Sequence, residues 1–178
     1  VRRGRDRWPG RRPGARAGRV PAVRGGNLAG LAAPFAADRG EGPLSATGSV
    51  AVTGETGAGK STILDALCLA LYSQYPRVSA ARRETVPDPG GEAIGAGDGR
   101  AILRRGATEG FAEVDFLGRD GVAYRVRWSV YRARRLVNGA LQKEKRSLHR
   151  IADGPAVADG KTHVVAEVEA RTDLTFEQ

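Results

Sequence analysis

The segment GETGAGKS (54–61) places the strongest constraint on the fold of this chain. It matches the pattern G-x-x-x-x-G-K-[ST], the phosphate-binding loop or P-loop. The run before it, SVAVT (49–53), is β-branched and largely apolar, which predicts a strand buried on both faces. The run after it, KSTILDALCLALY (60–72), is apolar almost all round and predicts a buried helix. A strand, a glycine-rich loop and a helix in this order are the setting of a true P-loop.

The residue types in the loop suit the binding of phosphate. Glycine at positions 54, 57 and 59 permits a positive φ and a close approach of the backbone to a ligand. The loop amides and the positive end of the following helix would form an anion site. Lys60 is expected to reach the β- and γ-phosphates and Thr62 the α-phosphate, while the Ser61 hydroxyl would ligate Mg²⁺. The predicted nucleotide-binding residues are Gly54, Glu55, Thr56, Gly57, Ala58, Gly59, Lys60, Ser61 and Thr62.

The sequence offers no second half of a hydrolytic site. An ATPase needs an acid after an apolar strand to hold Mg²⁺, and no four apolar residues are followed by Asp-Asp or Asp-Glu. The guanine-specifying Asn-Lys-x-Asp loop is missing, because neither Asn27 nor Asn138 precedes a lysine. We interpret the D-x-x-G match at 88–91 as chance, since it lies in a Pro/Gly-rich stretch. ATP is therefore the predicted nucleotide, and the chain alone is expected to be inactive.

Two segments in the second half alternate apolar and charged residues, as half-buried strands do. They are GFAEVDFLG (110–118) and VAYRVRWSVY (122–131), and Asp120-Gly121 between them is a hairpin signal. A tight hairpin would place Glu113 and Asp115 on the same face as Arg125 and Arg127. Weaker strands are predicted at 19–26, where Pro21 suggests a sheet edge, and at 34–38. A helix with a valine face is predicted at 161–174.

The net charge of +9 comes almost entirely from the first 24 residues, which hold nine arginines and one acid. Residues 1–18 are rich in Arg, Gly and Pro and predict a disordered basic extension, whereas 19–178 form the globular part. A single cysteine, Cys68, excludes a disulfide framework, and no apolar run has the ~20 residues of a membrane span. These features favour a cytoplasmic protein. The absence of methionine predicts a processed product, a fragment or a valine start.

A second group of basic residues lies in the last third of the chain. It has two interpretations, a DNA-facing surface that neutralises phosphates or an ordinary solvated face. His149 and His163 lack a second ligand at metal spacing, and Trp128 alternates onto the apolar face, where we expect it in the core. The basic residues are Arg132, Arg134, Arg135, Lys143, Lys145, Arg146 and Arg150.

Four stretches carry a family resemblance: RGGNLAGLAAPFA (24–36), the segment 42–77 with DALCLALY, AILRRGATEGFAEVDFLGRDGVAYRVRW (101–128), and DLTFEQ (173–178). They resemble the N-terminal ATPase segment of the SbcC-type exonuclease subunit, an SMC-like, ABC-type ATPase of DNA double-strand-break repair. The resemblance implies an α/β fold of the ABC-ATPase type. This fold is a P-loop NTPase lobe with a mixed sheet around the P-loop helix plus an antiparallel β section.

The resemblance also implies a functional setting. In the family, ATP is held between two heads of a homodimer, and double-stranded DNA is cut under their control by a SbcD-type nuclease partner. The Q-loop, coiled coil, signature motif and catalytic glutamate of the family would lie beyond Gln178, so the chain is expected to be a first lobe only. By the same resemblance, Asn27 borders the adenine, Gly30 replaces a serine-like residue, and Arg104 and Arg105 match a loop near the nucleotide or DNA.

Two other functions stay open at this stage. One is a different P-loop enzyme, such as a small kinase or GTPase, against which the missing guanine loop and the antiparallel section argue. The other is a basic nucleic-acid binder without enzymatic activity, for which the extension at 1–18 is the main support.

Overall fold

A six-stranded antiparallel sheet forms the centre of the computed structural model, which describes residues 20–38, 52–76, 85–152 and 154–176. Its strand order is β2-β1-β5-β6-β7-β8, and β3 and β4 form a separate hairpin. The elements are β1 (Ala22–Gly26), β2 (Phe35–Asp38), α1 (Lys60–Tyr72), β3 (Thr85–Pro87), β4 (Ala93–Gly95), β5 (Glu109–Leu117), β6 (Ala123–Tyr131), β7 (Lys145–Arg150), β8 (Ala156–Asp159) and α2 (Lys161–Thr172).

The predicted hairpin of β5 and β6 forms, with the two acids and the two arginines on one face, and its connection spans residues 118–122. Glu113 lies opposite Arg127 and Asp115 opposite Arg125. Arg125 Nε is 2.7 Å from Asp115 Oδ1, and Arg127 Nη1 is 2.9 Å from Glu113 Oε2. Arg24 on β1 adds a third cation, with Nη1 2.8 Å from Asp115 Oδ2. One face of the sheet therefore carries a ladder of ion pairs.

The other face of the sheet is apolar and carries the core. Trp128 is fully buried there, as predicted, together with the alternating residues of β5 and β6. Helix α1 packs on β1, β5 and β6, and α2 packs on β7 and β8. The valine face of α2 is confirmed, because Val164 and Val168 are fully buried. Both helices thus bury their apolar residues against the one apolar side of the sheet, as the hydrophobic effect favours.

Helix α1 is less enclosed than its composition predicted. Leu64 is 53% exposed, and Cys68 is only partly buried. The expectation of burial all round is wrong because, within the described residues, one side of α1 faces the sheet and the other has no layer over it.

The strand predicted at 49–53 falls mostly on residues that the structure does not describe, since 49–51 lie outside the described ranges. Val52 and Thr53 are described, and neither belongs to a strand. Val52 is 54% exposed, so burial on both faces is wrong for this position. The physical reason is the pairing: the strands of the described sheet bond to one another in an antiparallel order, and none of them pairs with Val52 or Thr53.

Strand β1 lies inside the sheet, between β2 and β5. The prediction of an edge from Pro21 is therefore wrong. Pro21 stands one position before the first residue of β1, Ala22, so the amide that proline lacks is not needed for the ladder.

Two members of the predicted basic surface are buried. The side chain of Arg132 is 3% exposed and forms a bidentate ion pair with Asp88, with Nη2–Oδ1 and Nη1–Oδ2 distances of 2.7 and 2.8 Å. Arg146 is 2% exposed and contacts the end of α1. A buried guanidinium needs a partner, and both find one far away in sequence. Neither interpretation of the basic cluster as a solvent-facing surface holds for these two residues.

Candidate phosphate-binding site

The P-loop runs directly into α1 as an open turn. Gly57 and Gly59 have φ values of 86° and 85°, in the left-handed region where a Cβ is strained. Gly59 is the N-cap of α1, and no side chain caps the helix there. The first turn of α1 also contains no acidic residue. The positive amino end of the helix dipole is therefore not neutralised by a carboxylate in the first turn of α1. This favours the binding of an anion at the start of the helix.

Lys60 closes the loop from the inside. Its Nζ donates to the carbonyl oxygens of Gly54 and Glu55 at 2.5 and 2.6 Å. The ammonium group therefore lies among the backbone groups that the motif assigns to phosphate. Ser61 is exposed beside it, whereas Thr62 is 4% exposed and points into the core side of α1. A cation, a free hydroxyl and an uncapped helix terminus form a donor set that fits a phosphate and its Mg²⁺.

Leu31 forms a wall of this loop. A Cβ placed on Gly59 would lie 2.5 Å from Leu31 Cδ2, so only glycine fits at this position. Sequence reasoning missed this contact because Leu31 has no motif of its own and lies 28 positions away in a separate turn.

The turn that carries Leu31 is fastened to the start of β5 and to the loop before it. Asn27 Nδ2 donates to the Glu109 carbonyl at 3.0 Å, and the backbone carbonyl of Asn27 accepts from the Arg104 amide at 3.0 Å. Arg104 Nη1 donates to the Gly30 carbonyl at 3.1 Å. The structure thus brings together three of the residues that the family resemblance singled out, Asn27, Gly30 and Arg104. They form one unit that reaches the P-loop through Leu31.

A groove of about 390 Å³ adjoins this unit. Apolar atoms dominate its lining, and Arg104 and Arg105 contribute the charge. A Cβ added to Gly30 would meet nothing within 4 Å, so the space beside the turn is open. The groove is lined by Ala29, Tyr75, Ile102, Leu103, Arg104 and Arg105, among others.

The described residues contain no group of three His, Cys, Asp or Glu side chains that could hold a metal ion. Over the same residues, neither helix combines the length and apolar character that a membrane crossing requires. The exposed hydroxyl of Ser61 is a side chain of the loop that could ligate Mg²⁺.

A P-loop that opens a helix packed against a sheet defines the class of P-loop NTPases. The model of the AAA domain family matches residues 44–168, and the chain belongs to this family. The chain is 53% identical over 161 residues to the SbcC subunit of the SbcCD nuclease of Rhodobacter capsulatus, and 44% identical over 162 residues to the protein of the same name from Pseudomonas aeruginosa. Each alignment covers 90% of this chain and 13% of the relative.

These comparisons confirm the SbcC-type resemblance that the sequence analysis drew from the stretches around the P-loop. The P-loop is shared with many NTPases, but an alignment over 90% of the chain is not explained by one loop. The chain spans only 13% of the length of those relatives. The binding partners and activities of the whole proteins are therefore proposals for this chain.

Proposed function

We propose that this chain is the ATP-binding lobe of an SMC-like ATPase that acts with a nuclease partner in the repair and recombination of broken double-stranded DNA. The observation that carries the proposal is the P-loop itself. Lys60 donates to two loop carbonyls at the start of α1, which no side chain caps, and Gly57 and Gly59 of the loop have left-handed geometry. The similarity to two proteins named as the SbcC subunit of the SbcCD nuclease supports the biological setting.

We assign the phosphate contacts to the backbone of 54–61 and to Lys60. The exposed hydroxyl of Ser61 is the proposed Mg²⁺ ligand, and Thr62, although mostly buried, is the proposed contact to the α-phosphate. Asn27, whose turn reaches the P-loop through Leu31, is the proposed neighbour of the adenine. When bound, Mg²⁺ would neutralise part of the charge of the phosphates.

The proposed partners are a SbcD-type nuclease subunit, a second head bound through ATP, and double-stranded DNA, in the cytoplasm and without membrane contact. Two exposed apolar side chains beside the P-loop, Val52 and Leu64, support a contact there with another part of the head or another protein. We propose that the catalytic acids come from outside these 178 residues, so this chain alone binds ATP without hydrolysing it.

Lys60→Ala is expected to weaken Mg-ATP binding to the 178-residue chain at least tenfold, because it removes the cation that would face the β- and γ-phosphates. Isothermal titration calorimetry measures the effect. Lys143→Ala is the matched control, since Lys143 is exposed and lies outside the P-loop; its affinity should equal that of the wild type. Robust ATP turnover by the wild-type chain that Lys60→Ala abolishes would overturn the proposal that the hydrolytic site is completed from outside.

Binding to DNA rests on exposed cations of the body as well as on the extension at 1–18. Arg134, Lys143 and Lys145 are among the members of the basic cluster that remain exposed once the two buried arginines are removed from it. Deletion of residues 1–18 is expected to leave ATP affinity unchanged. It should lower the affinity for a duplex of about 30 base pairs and reduce the salt slope, because fewer counterions are released. Complete loss of DNA binding in this deletion would show that the body has no DNA surface.

A further inference from the structure

A buried polar cluster lies under the carboxyl end of α1, at the opposite end of the helix from Lys60. Its centre is the hydroxyl of Ser73, the residue that follows α1. Ser73 is 3% exposed, Arg146 2% and Trp128 0%. No part of the proposed phosphate chemistry uses this cluster, and no sequence motif indicates it.

The cluster is a connected set of hydrogen bonds. Arg146 donates through Nη2 to the Ala70 carbonyl in the last turn of α1 and through Nη1 to Ser73 Oγ. Ser73 Oγ donates to Glu144 Oε1 at 3.1 Å, and Trp128 Nε1 donates to Glu144 Oε2 at 2.6 Å. The Ser73 hydroxyl therefore joins the cation to the carboxylate, since the described contacts include no direct ion pair between them.

The cluster carries energetic costs that the termination of a helix does not require. Ser73 has a φ of 59°, a conformation in which glycine is the usual C-cap. Burial lowers the pKa of Arg146 to about 10, so the side chain keeps its charge at neutral pH. The Arg146 Nε has no hydrogen-bond partner within the described residues. Buried arrangements with such costs cluster at functional and switch positions.

The cluster contacts the first residue of α2, and the neighbouring Tyr72 contacts the chain just after that helix. Lys161, the first residue of α2, lies 3.4 Å from Glu144 Oε1 through Nζ. Beyond the far end of α2, Tyr72 donates its hydroxyl to the Leu174 carbonyl at 3.4 Å, and its ring meets Phe176 edge-on at 5.9 Å. Because α1 is one continuous helix from Lys60 to Tyr72, a rigid-body displacement of its amino end at the P-loop would also move these contacts.

We propose that Ser73, Glu144 and Arg146 are positioning residues that couple nucleotide occupancy at the P-loop to the packing of α2. The inference rests on the proposed function, because it requires that the P-loop binds a nucleotide. The cluster holds the carboxyl end of α1 against β6, β7 and α2 and so sets the position from which Lys60 meets the phosphates. Coupling of this kind is reciprocal. Loosening the cluster weakens nucleotide binding by the same factor by which nucleotide stabilises the cluster.

A pair of variants at Ser73 separates this role from helix stability. Ser73→Ala and Ser73→Gly both remove the hydroxyl bridge, but glycine relieves the left-handed backbone while alanine keeps the strain. If Ser73 served stability alone, the variant with the lower thermal midpoint would also have the lower nucleotide affinity. If the hydroxyl positions α1, the two variants lose the same amount of nucleotide affinity whatever their thermal midpoints. We expect about five- to tenfold weaker Mg-ATP binding in each, at the lower end of typical coupling.

The experiment uses the 178-residue chain with Trp8→Phe, so that all tryptophan emission comes from Trp128. Mg-ATP is titrated into the wild type and both Ser73 variants by calorimetry and by Trp128 fluorescence, with Ser129→Ala on β6 as the serine control. The expected result is a nucleotide-dependent change in Trp128 emission in the wild type and in Ser129→Ala that both Ser73 variants lose.

The outcomes are distinguishable. If the wild type binds Mg-ATP but the Ser73 variants keep its affinity and its fluorescence change, the coupling is overturned and the proposed function stands. If the two variants differ in affinity in the order of their thermal midpoints, the role is structural and the coupling is again overturned. If the wild type itself binds no Mg-ATP by calorimetry, the proposed function fails and the coupling that rests on it is overturned as well.

Discussion

Gly59→Ala is expected to weaken Mg-ATP binding at least tenfold, although Gly59 contributes no side chain to the site. At a φ of 85° an alanine is strained by about 1–2 kcal/mol. Its Cβ would also lie 2.5 Å from Leu31 Cδ2, so the loop or the Leu31 turn must shift. Since Gly59 is the N-cap from which the helical amides point at the opening, the shift changes the anion site directly. Calorimetric titration with Mg-ATP measures the loss.

Two further variants isolate the contact with Leu31. Gly57→Ala has the same backbone strain but no atom within 4 Å of its Cβ, so it should destabilise the fold less than Gly59→Ala in urea denaturation. The double variant Leu31→Ala/Gly59→Ala should recover part of the lost ATP affinity, because it removes the clash. An affinity in the double variant as low as in Gly59→Ala would show that Leu31 is not the cause.

Asp88→Ala is expected to lower the free energy of unfolding by about 3–5 kcal/mol, the cost of leaving a buried charge without its partner. Arg132 is 3% exposed and Asp88 5% at the side chain, and the pair fastens the β3–β4 hairpin to the end of β6. Asp88→Asn, which keeps the size, should fold with a smaller loss. Urea denaturation followed by circular dichroism measures both variants.

The control for this ion pair is an exposed one. Arg119 and Asp173 lie 3.4 Å apart with side chains 59% and 76% exposed, so Arg119→Ala should cost less than about 0.5 kcal/mol. Asp88→Ala/Arg132→Met should recover stability relative to Asp88→Ala, because no buried charge is left. Equal losses for Asp88→Ala and Arg119→Ala would contradict the assignment of Arg132 and Asp88 as a buried pair.

The pH dependence of this pair follows from its pKa. The hydrogen bonds from Arg132 hold the pKa of Asp88 below its ordinary value of 3.8. A depressed pKa means that the contribution of Asp88 is fully present above about pH 4 and is lost as the pH falls through the folded value. The difference in unfolding free energy between the wild type and Asp88→Ala should therefore be constant near neutral pH and narrow in acid.

Local patterns predicted the parts of the fold that depend on neighbours in sequence. The Asp120-Gly121 turn and the alternation around it predicted the hairpin whose charged face brings Asp115 to Arg125. The P-loop predicted the start of α1 at Lys60, and the strong helix formers after it predicted the end at Tyr72. In each case the residues that carry the pattern lie within about ten positions of the element that they predict. Over such short distances, backbone geometry and the periodicity of the side chains determine the structure.

The rest depends on contacts between distant parts of the chain. A count of positive charges could not show that Arg132 is buried, because its partner Asp88 lies 44 positions earlier. Arg146 is 76 positions from the Ala70 carbonyl that it contacts. The packing of Leu31 on Gly59 likewise has no local signature. The phosphate-binding residues stay a prediction from the P-loop motif, and the motif gave no indication of the neighbours, such as Leu31, that pack against the loop.

The strand order also determines when the P-loop helix can dock during synthesis. Strands β5 to β8 follow one another in the chain and in the sheet, so their contacts are short-range and form quickly. Helix α1 ends at Tyr72, whereas β5, on which it packs, begins only at Glu109. The P-loop helix therefore leaves the ribosome before β5 and β6, two of the three strands on which it packs, have been synthesised. We expect the apolar face of α1 to be incompletely covered in that interval, which favours chaperone binding or aggregation.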